Sequence, residues 1–61
     1  MTKWLHNRKG VIEGEITLVH DEWVEIRLSG DQRLRTAKGW EDHKDGEIVT
    51  VRKSFIKEMV A

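Results

Sequence analysis

Apolar side chains occupy every second position through two successive runs near the head of the chain. Ile12, Ile16 and Leu18 share one parity with Gly14, and after a polar break at His20, Asp21 and Glu22 the alternation resumes at Val24, Ile26 and Leu28. The opposite parity holds Glu13, Glu15 and Thr17, then Trp23, Glu25 and Arg27. A period of two with one apolar side marks a half-buried strand, so Lys9 to Leu28 predicts a β-hairpin with one face on a core and one in water. Like faces must pair, and a three-residue connection sets Leu18 opposite Val24, Ile16 opposite Ile26 and Glu15 opposite Arg27.

The pattern continues more weakly beyond that hairpin. Ser29, Gly30 and Asp31 form a turn signal, and Leu34 and Thr36 alternate with Arg33 and Arg35, which predicts a third strand continuing a meander. The favoured register across this second turn pairs Glu25 with Arg35, because its neighbour would oppose Arg27 and Arg35. Lys38 to Gly46 is a polar connection, with room for a helical turn and with Trp40 near its middle. In Glu47 to Lys53, Val49 and Val51 take one side and Ile48 and Thr50 the other, as in a fourth strand with both faces partly covered. Ser54 to Val60 predicts a tight turn and a fifth strand with Ile56 and Met59 inward. A terminal helix over Lys53 to Val60 is the alternative. The expected core is Ile16, Val24, Ile26, Leu28, Leu34, Val49, Val51 and Ile56.

Sixty-one residues without proline, repeat or low-complexity segment make a single domain, 1–61. A domain of this size buries only about 60% of its unfolded surface, which leaves little room for a catalytic cleft and makes self-association a route to further burial. There are no cysteines for disulfides or thiolate metal sites. That fits a reducing compartment. Met1 to Lys9 contains no apolar stretch of the kind a secretory signal needs, and no run approaches the ~20 apolar residues of a membrane span. A cytoplasmic location is the expectation. Lysine plus arginine and aspartate plus glutamate number 11 each, so the net charge is zero on a chain that is 36% charged. The overall basic field of a nonspecific nucleic-acid binder is therefore missing, and any such role needs a local patch.

Five short strands with one apolar face and a charged outer surface favour closure into a small barrel, which removes sticky edges. Gly14-Glu15-Ile16, leading through Asp21-Glu22-Trp23 to Arg27-Leu28-Ser29-Gly30, and the closing Ser54-Phe55-Ile56-Lys57-Glu58-Met59 resemble the strand and terminal segments of SH3-like barrels. The resemblance implies an all-β, five-stranded SH3-like barrel with a short 3-10 or helical turn near the C-terminus. It does not extend to the SH3 peptide groove. The 13 residues before Gly14 leave no room for the long first loop of that groove, and the chain has no tyrosine or proline to complete it. The Gly46-Glu47-Ile48-Val49-Thr50-Val51 segment equally resembles a strand start of OB-folds, so an OB-like barrel is the competing topology.

Candidate chemistry is sparse. His6, His20 and His43 lack the i, i+3 or i+4 spacing that presents two imidazoles to one zinc, and are expected as surface residues of turns. Ser29 and Ser54 have no adjacent base, and the dispersed glycines form no phosphate cradle. Neither catalysis, nor a cofactor, nor a metal is expected. Arginine and tryptophan on the outer parity are the remaining feature, since these residues are enriched at binding hot spots. Trp23, Arg27, Arg33 and Arg35 are expected on one face of the first three strands, with Lys38 on the nearby loop. Trp40 is a further binding candidate, although an aromatic there more simply plugs a barrel end. Trp4 is expected to pack the N-terminal segment onto the barrel. Glu13, Glu15 and Glu25 are placed to neutralise the arginines in cross-strand pairs. These features lead to a noncatalytic adaptor or regulatory module that recognises a protein through this face. The rival is a nucleic-acid-binding barrel in which the same arginines grip phosphates and Trp23 stacks on bases.

Overall fold

The alternating run at the head of the chain becomes two antiparallel strands in the computed structural model, which describes residues 2–59. Seven strands form among the described residues: β1 (Lys3–His6), β2 (Gly10–Val19), β3 (Trp23–Leu28), β4 (Gln32–Thr36), β5 (Gly39–His43), β6 (Ile48–Arg52) and β7 (Ile56–Met59). A 3-10 turn, Lys53–Phe55, joins β6 to β7. The chain is all-β, and no described helix is long and apolar enough to cross a membrane.

Five strands make one sheet in the order β6-β3-β2-β1-β7, and β4 and β5 pair separately as a hairpin. β2 carries the sheet from one half to the other. Its first residues, from Gly10 to Glu13, pair with β1, whereas those from Gly14 onward pair with β3. Gly14 stands where the two pairings meet, donating its N–H to the Thr2 carbonyl at 3.0 Å while lying opposite Leu28. The indole N–H of Trp4 donates to the Gly14 carbonyl at 3.1 Å, and its ring packs on the core, so Trp4 does fasten the N-terminal segment. The core itself consists of Ile12, Val24, Ile26, Leu28, Leu34, Val49 and Val51.

Several sequence expectations are corrected. Seven strands replace five: residues 3–6 add one, and the polar connection around Trp40 is a strand, β5, rather than a loop or helical turn. Thr36 closes the β4–β5 turn, its hydroxyl donating to the Gly39 carbonyl at 2.9 Å. The sheets do not close into a barrel, since β6 and β7 are the two ends of the large sheet. Ile16 lies opposite Ile26 and Glu15 opposite Arg27 as expected, but a bulge between Ile16 and Leu18 moves Leu18 opposite Glu25 and Val19 opposite Val24. One inserted residue reverses parity, so Leu18 turns to solvent. Met59 is exposed, Ile16 and Ile56 are half-buried, and only one face of β6 is covered, with Ile48 and Thr50 outside. The last strand begins after the 3-10 turn, which excludes a helix over residues 53–59; Val60 lies outside the described residues.

β4 does not continue the meander either. The edge of β3 that it was expected to occupy is taken by β6, which sets Glu25 opposite Thr50 rather than Arg35. The intervening turn is pinned elsewhere: Ser29 N–H donates to the Glu13 carbonyl at 3.0 Å and Gly30 N–H to Asp45 Oδ1 at 2.7 Å. Gln32 then performs the task of a missing strand neighbour for β2. Its amide oxygen accepts from Glu13 N–H at 2.8 Å, and its amide nitrogen donates to the Glu13 carbonyl at 2.6 Å and the Ser29 carbonyl at 3.1 Å. Gln32→Ala is expected to cost about 1–3 kcal/mol, because it leaves part-buried backbone groups without partners. Urea denaturation measures this, and a loss within error of zero would show that solvent replaces the amide.

Candidate functional site

The turn between β1 and β2, the end of β4, the end of β6 and the 3-10 turn converge on one open groove of about 380 Å³. Four cationic side chains line it: Arg8, Lys9, Arg35 and Arg52. Among the described residues no carboxylate lines it. Backbone bonds tie its walls together, with Asn7 N–H donating to the Phe55 carbonyl at 2.9 Å and Arg35 N–H to the Lys9 carbonyl at 3.1 Å. The Arg8 guanidinium lies 5.7 Å from the centre of the Phe55 ring, within reach of a cation–π contact.

His6 organises this turn and is buried, which corrects its expected place on the surface. Its Nδ1 accepts from the N–H groups of Arg8 and Lys9, both at 3.0 Å, and its ring meets Phe55 edge to face. An Nδ1 that accepts two bonds cannot carry a proton. Burial, then the charges of Lys9 and Arg8, hold the imidazole below its ordinary value of 6.5. The unfolded chain therefore takes up this proton first, so His6 adds full stability above pH ~6.5 and progressively less as pH falls toward its folded value. NMR of the ring protons should show His6 titrating below 6.5; a midpoint above that value would contradict the assigned bonds.

His43 is buried too, against expectation, with Nδ1 3.0 Å from Glu47 Oε1 and Nε2 3.0 Å from Glu41 Oε1. Glu47 also accepts from the Lys44 N–H at 2.9 Å, and this bond, followed by His43, holds its carboxyl below the ordinary range. His20 is half-buried and stacks on Trp23, ring centres 3.4 Å apart. Among the described residues no group of three metal-ligating side chains converges.

The structure divides the residues singled out from sequence. Trp23 and Arg27 belong to β3, where Trp23 lies opposite Arg52 and Arg27 lies between Glu15 and Ile48. Arg33 and Arg35 belong to the separate hairpin, so the four do not form one face of a three-stranded sheet. Arg33 is paired with Asp42 at 3.0 Å, both exposed. Arg35 lies directly opposite Trp40, with Lys38 in the turn between their strands. Trp40 is 62% exposed and plugs nothing. Its strand buries His43 alone, and Trp40 stands on the opposite parity, which leaves the indole outside.

The expected neutralisation is also redistributed. Glu13 lies 3.5 Å from Lys3, and Glu25 lies 3.6 Å from His20. Glu15 alone stays opposite an arginine, Arg27. Among the described residues, Arg8, Lys9 and Arg35 have no carboxylate partner, and Arg52 has only an exposed contact of 3.7 Å with Glu22. Such a contact is worth ~0–1 kcal/mol and is easily exchanged for another anion. Arg8, Lys9, Arg52 and Phe55 escaped the sequence reading because they are separated along the chain; the basic pairs Arg8-Lys9 and Arg52-Lys53, each beside a strand end, were the available signal.

Comparison with protein-family models, with curated proteins and with solved structures finds no match for this chain. The reading of function rests on its own residues.

Proposed function

We propose that the protein is a noncatalytic adaptor or regulatory module of the cytoplasm that recognises an acidic segment of a partner protein at the groove between β4 and β6. One observation carries this reading. Four cations converge in a groove that no carboxylate among the described residues lines, and of the four only Arg52 has a carboxylate contact, exposed and 3.7 Å long, although the chain as a whole is neutral. Guanidinium groups confer specificity for carboxylates through paired hydrogen bonds, and local charge complementarity steers encounter without an overall basic field. Neutral overall charge disfavours a nonspecific polyanion binder.

The test is affinity capture from native extract, comparing the wild-type chain with an Arg8→Glu/Arg35→Glu double variant. Expected is a protein retained by the wild type after nuclease treatment and lost with the double variant. Retention of nucleic acid at near-physiological salt, lost with the same variant, would reverse the assignment.

The exposed Trp40 opposite Arg35 favours a second reading, in which an indole stacks on bases while the groove grips phosphates. Binding by that route should fall by about 0.7 to 0.9 in the logarithm of the binding constant per phosphate for each tenfold rise in salt. We further infer that the fold is an SH3-like barrel left open between β6 and β7. The meander β1-β2-β3, with β6 beside β3 and a 3-10 turn leading back to β7 beside β1, supports this over the OB-like alternative.

A further inference from the structure

β6 is an end strand of the large sheet, and β3 is its strand partner. The phase of its hydrogen bonds follows from the two bonds that flank it. Leu28 N–H donates to the Glu47 carbonyl at 2.9 Å, and Lys53 N–H donates to the Glu22 carbonyl at 3.0 Å. Antiparallel strands exchange bonds at every second residue, so Glu47, Val49, Val51 and Lys53 turn their peptide groups toward β3. Ile48, Thr50 and Arg52 turn theirs outward. Thr50 and Arg52 also line the basic groove, so the unpaired edge forms part of its wall.

Unpaired edges invite another strand, and native sheets usually blunt them with charge or proline. β7, at the opposite end, carries Lys57 and Glu58 within its four residues. β6 lacks such protection along most of its length. Its outward residues Ile48 and Thr50 are β-branched and exposed, which suits them to a further strand rather than to repelling one. Its charge sits at one end, on Arg52, beside Arg8, Lys9 and Arg35.

We propose that the open edge of β6 accepts an extended acidic segment of a partner protein as an added strand, its peptide groups pairing with Ile48, Thr50 and Arg52 and its carboxylates meeting the groove cations. This rests on the protein-binding reading above and specifies its mode. An extended peptide repeats its donors and acceptors with the period that the edge presents, while side chains on one face recur every ~7 Å, a spacing that brings successive acids past successive cations. A phosphate backbone supplies acceptors alone. It would leave the outward carbonyls of the edge facing negative charge, so the edge selects for peptide where the cations alone would not.

The probe is a fluorescein-labelled eight-residue peptide alternating glutamate and valine, titrated by anisotropy and followed by amide hydrogen exchange. The expected result is binding accompanied by slowed exchange at the amides of Ile48, Thr50 and Arg52. N-methylation of alternate peptide nitrogens keeps every carboxylate but removes the donors facing the edge, and should weaken binding about tenfold or more. A lysine-for-glutamate peptide should not bind. Thr50→Pro removes an outward N–H at a position where proline is tolerated, and should weaken binding while the Arg8→Glu/Arg35→Glu variant abolishes it. Equal binding of the N-methylated peptide without added protection at β6 would overturn strand addition and leave recognition of acidic protein by charge intact. Absence of peptide binding would overturn the inference, and a single-stranded oligonucleotide bound in its place would overturn the protein-binding reading as well.

Discussion

Gly14→Ala should remove about 3 kcal/mol of stability and lower the melting temperature by on the order of 15 °C. A Cβ at this position would press on the Arg27 carbonyl oxygen and stand 2.9 Å from Ile26 Cγ2. The first obstacle is backbone, which cannot rotate away as a side chain can. Relief requires β2 and β3 to separate where Gly14 also bonds Thr2, so the strain falls on both halves of the sheet together. Overpacking commonly costs 1–3 kcal/mol, and the upper end applies when ladder bonds must move. A 61-residue domain holds only ~3–9 kcal/mol in total at ~0.05–0.15 kcal/mol per residue. Thermal unfolding followed by circular dichroism measures the loss. A melting temperature within a few degrees of the wild type would mean that the strands do not approach this closely.

Ile26→Ala should cost ~2–5 kcal/mol, the range for emptying a fully buried aliphatic site. Ile26 has no exposed surface and occupies the middle strand of three, between Ile16 on β2 and Val49 on β6. Those neighbours are held by two ladders and cannot collapse into the vacancy. Ile48→Ala offers the contrast, since Ile48 is 47% exposed and surface substitutions change stability by ~0.5 kcal/mol or less. Equal denaturation midpoints for wild type and Ile26→Ala would show that the inward parity of β3 is wrong.

The fold was legible where one residue in two faced the core without interruption. Val24, Ile26 and Leu28 alternate cleanly, and their strand, its pairing with Ile16 and its burial all follow from the sequence. Alternation failed at Leu18 because a bulge adds a residue without leaving a compositional mark. β5 was concealed for a different reason. Its one buried residue, at the end of the strand, is the polar His43, so the segment shows no apolar period. Of the binding candidates, Arg33, Arg35, Lys38 and Trp40 share the hairpin, while Trp23 and Arg27 lie on the large sheet.

Sequence alone determined the all-β class, the first long hairpin and most of the core, because side-chain period is a local property that a strand expresses wherever it is placed. It also determined the neutral, densely charged surface. Tertiary structure decided which strands became neighbours and which became edges. β3 paired with β6 in preference to the nearer β4, a choice governed by the burial of Val49 and Val51 and by the Ser29 and Gly30 bonds to distant segments. That choice separated the expected arginine face and gathered Arg8, Lys9, Arg35 and Arg52 from three parts of the chain. Charge convergence of this kind is a matter of distance through space, and the order of residues along the chain does not contain it.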